Sequence, residues 1–162
     1  MGPGTILENA FGVTEFIQTA EETNGELHEQ RVTYRPDSPF PQTHFHPDQD
    51  ERFVVEDGVM LFVLDGKEVP VGAGSEIEIP RGTAHKARNA SEYATTTVLW
   101  QTRPALRTAE FFCTANALGP DTLAQTLLVR EYADVFRLTG PTAWLVPPLA
   151  TIARVLGKRL PS

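Results

Sequence analysis

The chain has 162 residues, of which 41% are hydrophobic and 22% charged, with a net charge of −7 at neutral pH. That length supports one sizeable core and is short for two. The acidic balance argues against nucleic-acid binding, which depends on Lys and Arg to neutralise phosphates.

The charge is uneven. Residues 1–104 hold 8 basic and 17 acidic side chains, a balance of −9, whereas residues 105–162 hold 6 and 4, a balance of +2. Met1–Ala10 lacks the basic region and apolar run of a secretory signal, so secretion is not expected and the protein is read as cytoplasmic. Cys113 is the single cysteine, which precludes an internal disulfide and suits a reducing compartment. We read it as a small apolar filler rather than a nucleophile. Walker loops, dinucleotide fingerprints and nucleophile elbows of the G-x-S-x-G type are missing from the sequence.

The first two-thirds read as short strands separated by turn signals, as an all-β barrel requires. In chain order they are Glu15–Thr19, Leu27–Tyr34, Gln42–Phe45, Arg52–Glu56, Val59–Leu64, Lys67–Val71, Ser75–Ile79, His85–Asn89 and Tyr93–Gln101. Asp57-Gly58 and Asp65-Gly66 are turn dipeptides on either side of an apolar run. Glu76-Ile77-Glu78-Ile79 alternates as a half-buried strand does, and Pro80 closes it. Gly82 is expected to take a positive φ that turns the chain back toward His85.

Arg103-Pro104 ends the strand pattern. A helix is expected over Thr108–Leu118, stopped by Gly119-Pro120, and a second, capped by Asp121, through about Leu138. Gly140-Pro141 should break that helix, and a last one is expected over about Pro148–Leu160. This divides the chain into a barrel, 1–104, and a helical extension, 105–162, packed on the barrel or on a partner subunit. The uncharged stretch Leu138–Ala153 is too short and too rich in proline to span a bilayer, so no integral membrane segment is expected.

The chemistry gathers in two segments. The first is His44-Phe45-His46-Pro47-Asp48-Gln49-Asp50-Glu51, with Gly58 seven residues past the glutamate. The second runs from Gly74 through Pro80-Arg81-Gly82 to His85 and Asn89. Histidines at i and i+2 project from one side of a strand and can both reach one ion. His85, beginning another strand, would supply a third imidazole and Glu51 one hard oxygen. His28 has no partner at ligand spacing and is read as an ordinary surface or satisfied core histidine.

These motifs resemble those of the cupin family, G-x5-H-x-H-x3–4-E-x6-G and G-x5-P-x-G-x2-H-x3-N. The second is complete from Gly74 to Asn89. The first is complete from His44 to Gly58, but Ser38 stands at its opening glycine. The likeness covers roughly residues 5 to 103. It implies an all-β jelly-roll barrel, here with a C-terminal α-helical extension, enclosing a metal held by His44, His46, Glu51 and His85.

Three imidazoles and a carboxylate leave two positions open on a six-coordinate ion. One divalent transition metal per chain is therefore expected, with Fe, Mn, Ni and Co favoured over Zn or Cu. Gln42 shares the face of His44 and His46 and is expected to hydrogen-bond a ligand or the substrate. Phe53 and Val55 should line the wall with Glu51, as should Met60, Phe62 and Trp100. Asn89 is assigned to turn structure.

The leading expectation is a metal-dependent enzyme acting on a small organic molecule, first an oxygenase, then a redox-neutral isomerase, cyclase or lyase. The alternative is a metallated small-molecule binding or sensor protein. A homodimer formed through outer strand residues such as Phe45 and Val54 is expected by analogy with the family.

Overall fold

The computed structural model describes residues 1–161. Eleven strands and three helices follow one another as β1 (Ile6–Glu8), β2 (Gly12–Gln18), β3 (His28–Tyr34), β4 (His44–Phe45), β5 (Asp50–Asp57), β6 (Val59–Leu64), β7 (Lys67–Gly72), β8 (Glu76–Ile79), β9 (His85–Asn89), β10 (Thr96–Arg103), α1 (Thr108–Leu118), α2 (Thr122–Glu131), β11 (Arg137–Leu138) and α3 (Pro141–Val155).

The strands form two antiparallel sheets, ordered β1-β2-β3-β10-β5-β8 and β11-β4-β9-β6-β7. Their inner faces meet in one core of Val32, Tyr34, Phe53, Val55, Met60, Phe62, Val71, Ile79 and Val98. Strict alternation produces it. In β5, Glu51, Phe53 and Val55 are buried while Arg52 and Val54 are half-exposed. Arg31, outward on β3, pairs with Glu56, and Arg52 pairs with Glu76, so the outer face is laced by ion pairs between neighbouring strands. Such exposed pairs contribute about 0–1 kcal/mol each; the apolar interior carries the stability.

Gly58 turns β5 into β6 at φ +80°, where a Cβ would lie 2.4 Å from Thr96 Oγ1. Gly82 takes φ +81° as expected, its amide donating to the His46 carbonyl (2.8 Å), so the turn before His85 is tied to the other metal-motif segment. Ser38 is buried and its hydroxyl accepts from the Asn89 amide (3.3 Å), joining the two motifs at the point where the family's glycine is replaced. The left-handed residue there is the adjacent Asp37, at φ +53°. Asn89 is wholly structural. Its amide donates to the carbonyls of Arg35 and Ala94, and its oxygen accepts from Ser91 N and Thr96 Oγ1.

The extension departs from expectation in two places. α2 begins as foreseen, with Asp121 accepting from Ala124 N (3.0 Å), but it ends at Glu131 rather than near Leu138. Residues 132–136 turn, and β11 then pairs with β4, Arg137 opposite Phe45 and Leu138 opposite His44. The β4 edge of the barrel offered unpaired backbone groups, and satisfying them outweighed helical periodicity.

α3 starts at Pro141, not Pro148, and ends at Val155. Gly140-Pro141 acts as a helix start because proline is pre-shaped for the first turn and lacks only an amide that would be unpartnered anyway. Pro147 and Pro148 sit inside the helix, which is held by Ala150 and Ala153 packing on Leu127 of α2. The outer face of α3 presents Trp144, Leu145, Ile152, Val155 and Leu156 to solvent. Among the described residues, no helix is long and apolar enough to cross a membrane.

Candidate metal centre

Two neighbouring strands bring the imidazoles together. His44 lies on β4, directly opposite both His85 of β9 and Leu138 of β11. His46 follows β4 by one residue, with Phe45 turned outward between them. The ligating nitrogens of His44, His46 and His85 fall within 4.8 Å of one another, and all three rings are more than 90% buried. Glu51 comes from the opposite sheet and is 2% exposed. Its carboxylate stands 2.9 Å from His85 Nε2 and 3.2 Å from His46 Nε2.

Every imidazole is pinned from behind. His44 Nδ1 lies 2.8 Å from the Gln42 carbonyl, His85 Nδ1 2.9 Å from the Thr83 carbonyl, and His46 Nδ1 2.6 Å from the Val135 carbonyl. A carbonyl can only accept, so each Nδ1 carries the proton and donates, leaving Nε2 as a lone pair. Those lone pairs converge with a carboxylate. His46 Nε2 and Glu51 Oε2 have no hydrogen-bond partner although they are deeply buried, so the short contact of Glu51 with His85 is misdirected for a hydrogen bond. Two buried acceptors left without a donor, His46 Nε2 and Glu51 Oε2, are costly unless a cation completes the set. The donor set, three nitrogens and one oxygen, suits a divalent transition ion.

Burial first, then the neighbouring imidazoles, push His44 down to about 3. Burial acts upward on Glu51 but is outweighed by the neighbouring imidazoles when they carry protons, which hold its carboxyl down to about 2, while burial of His85 is in turn outweighed by Glu51, which shifts that ring up. With the rings neutral, a cation would have to supply the same stabilisation to the carboxylate.

Behind the centre, Trp100 Nε1 donates to Glu51 Oε1 at 2.9 Å, which fixes the carboxylate. The Trp100 ring stacks on Phe53 and meets Phe112 of α1 edge-on. Phe136 stacks on His44 at 4.4 Å and 24°, and on Phe111 at 5.2 Å. Gln49 ties the loop before Glu51 to the extension, its amide reaching the Pro104 and Ala105 carbonyls and Thr108 Oγ1. Two surface clefts lie elsewhere, by the end of α2 and beside the start of α1.

Of the residues singled out in the sequence, His44, His46 and His85 cluster, Glu51 stands against His46 and His85, and Phe53, Val55, Met60 and Phe62 are packed in the core with Trp100 half-buried against them. Gln42 does serve a histidine, but through its backbone carbonyl, and its side chain is exposed. Val135 and Phe136 were missed because they fall in a stretch that reads as helix. His28 is neither at the surface nor satisfied. It is 1% exposed, and its Nδ1 lacks a partner.

Two antiparallel sheets closed into a jelly roll, with a polar cluster gathered inside it from both sheets, define the class. Residues 30–101 match the family described as the cupin domain, and this segment of the chain is a cupin domain. Solved structures agree on the fold. An RmlC-like cupin from Shewanella frigidimarina superposes with a TM-score of 0.56 at 16% identity, over 65% of this chain and 88% of that one. Pac13 of Streptomyces, a nucleoside dehydratase, superposes at 0.53 with 16% identity over 65% and 79%.

Among curated proteins, Oxidoreductase iacF of Pestalotiopsis fici is 47% identical over 47 residues, which is 28% of this chain and 23% of that protein. The uncharacterized protein YdbB of Bacillus subtilis is 43% identical over 47 residues, 28% of this chain and 42% of that one. The match thus spans less than half the length of either relative.

Proposed function

We propose that this cupin is a metal-dependent enzyme acting on a small organic molecule, with His44, His46, His85 and Glu51 holding one divalent transition metal. The observation that carries the reading is the clustering of three imidazoles beside a carboxylate, with His46 Nε2 and Glu51 Oε2 buried and unpartnered. An ion held there by four protein ligands would supply a Lewis acid, or a centre for activating dioxygen, with positions left for substrate.

The chain's own residues do the rest. The carbonyls of Gln42, Thr83 and Val135 fix the tautomers, Trp100 orients Glu51, and the phenylalanines of α1 and residue 136 exclude water from one side. Oxygenase chemistry is our first choice, because mixed N/O ligation with open positions suits Fe(II), and the segment shared with a named oxidoreductase is in keeping with it.

The test is elemental analysis of anaerobically purified protein beside a His44→Ala/His85→Ala variant, each reconstituted with Fe(II), Mn(II), Ni(II) and Zn(II). Near-stoichiometric metal in the wild type, lost in the variant, is expected. Wild type that stays metal-free leaves a binding protein as the better account. Substrate screening then follows with and without oxygen; turnover that persists without it replaces the oxygenase by a redox-neutral isomerase or cyclase.

We also propose a homodimer, with the second copy seated on α3 rather than on the strands. Phe45 and Val54 are half-buried and Phe45 is flanked by β11, whereas the outer face of α3 is an uninterrupted apolar stripe.

A further inference from the structure

Inside the barrel, on the sheet that carries Glu51, lies a second polar pair that the metal centre does not use. His28 and Gln30 both point inward from β3 and are 1% and 0% exposed. His28 Nε2 and Gln30 Oε1 lie 3.1 Å apart and bond to each other. That leaves His28 Nδ1 and Gln30 Nε2, both buried, without any partner.

The pair is placed beside the centre by strand register. His28 faces Thr102 of β10, and Thr102 faces Glu51 of β5, so one inward row runs His28–Thr102–Glu51. Two strand spacings separate its ends, about 10 Å. Gln30 is opposite Trp100, whose indole holds Glu51. The Phe112 ring lies parallel to His28 at 6.3 Å and edge-on to Trp100 at 5.3 Å. Trp100 faces inward from a central strand, and it and Phe112 are half-buried, which makes them the side chains between this pair and solvent.

We propose that His28 and Gln30 form a substrate-recognition subsite for a neutral group offering one hydrogen-bond donor and one acceptor side by side, such as an amide, an imide edge or a hydroxyl. The argument does not depend on how the Gln30 amide is turned. With its oxygen toward His28, the imidazole must carry the proton on Nε2, leaving an acceptor at Nδ1 and a donor at the amide nitrogen. With the amide reversed, Nδ1 becomes the donor and the amide oxygen the acceptor. Either arrangement presents one of each. Burial also keeps the His28 ring neutral, although Gln30 acts in the opposite sense, so an ionised carboxylate meets no countercharge. A pair retained only for folding would not be left with unpartnered buried atoms, which destabilise the fold.

The subsite rests on the metal-enzyme reading for its role, and its test is separable from it. Wild type and a His28→Leu/Gln30→Met variant, with metal content measured first, are compared with and without metal by thermal unfolding and by calorimetric titration. The probes are 2-pyridone, whose N–H and C=O are adjacent, N-methyl-2-pyridone, which has lost the donor, and benzoate, which is charged. The variant is expected to melt higher by about 3 °C and to bind 2-pyridone at least tenfold more weakly, and wild type should prefer 2-pyridone to the other two by a similar factor. A variant that melts lower assigns the pair to folding. Wild type that binds all three probes equally, or none, removes the subsite. Either result overturns the proposal, whereas metal-free wild type that still discriminates among the probes counts against the metal centre alone.

Discussion

At the scale of single residues, the centre is decided by which nitrogen of each histidine holds the proton. Three backbone carbonyls make that choice, and carbonyls cannot be removed by mutation, so the most informative substitution is of the side chain behind the carboxylate. Trp100→Phe keeps the ring against Phe53 and Phe112 but deletes the donor to Glu51 Oε1. Loss of such a supporting bond should weaken metal affinity roughly 10–100-fold with little change in fold, measured by competition with a chelator.

The same burial makes the metal-free protein acid-sensitive. His44 titrates at about 3 when folded, against an ordinary value of 6.5, chiefly because it is buried. A depressed histidine contributes stability in full above the unfolded value, and that stability is lost as pH falls through 6.5 toward 3. The proton taken up by His44 on unfolding amounts to about 2 kcal/mol between pH 6.5 and 4.5, partly offset by His85, where burial is outweighed by Glu51 and the ring is shifted up. Denaturant midpoints in the metal-free protein should fall accordingly, and a His44→Leu variant should show a shallower decline. It should not be flat, because His28 is shifted in the same direction.

At the scale of elements, the short strand β11 binds the extension to the barrel. It pairs with the strand that bears His44, and the residues just before it supply the carbonyl on His46 and the ring on His44. The helical third of the chain is therefore part of the centre. Phe136→Ala should lower metal affinity about tenfold and cost about 2 kcal/mol of stability, the first read by chelator competition and the second by denaturant unfolding. An unchanged metal affinity would reduce β11 to an edge cover.

Element boundaries show where local pattern sufficed. β6 and β9 run over Val59–Leu64 and His85–Asn89 as expected, because turn residues and alternation mark both of their ends. α1 likewise runs over the expected Thr108–Leu118. Residues 132–138 carry apolar spacing that fits a helix equally well, and only the open β4 edge selected strand.

At the scale of the whole molecule, an acidic barrel is joined to a slightly basic helical extension whose outermost face is apolar. Trp144 and Val155 on α3 are each 82% exposed, and Leu145, Ile152 and Leu156 continue the stripe between and beside them. Contiguous apolar surface of that kind marks an interaction site. In the proposed dimer, Trp144→Glu/Val155→Glu should shift the protein from dimer to monomer in sedimentation velocity while leaving metal content unchanged, since neither residue touches the barrel's interior cluster. A wild type that sediments as a monomer would end the dimer proposal.

Sequence by itself determined the jelly-roll fold and the three histidines, His44, His46 and His85, that cluster within it. The two motifs set side chains on alternating faces of separate strands, and period-two geometry leaves little freedom once the turns are marked by Gly58, Gly74 and Gly82. Only the tertiary structure decided what stands behind and beside them: the Val135 carbonyl, the Phe136 ring, the Trp100 donor and the unpartnered His28–Gln30 pair. Apart from that pair, these depend on backbone groups and on neighbours 49 residues away or more, and no local pattern encodes such contacts. They follow from how an open strand edge and the barrel interior are completed when the chain closes.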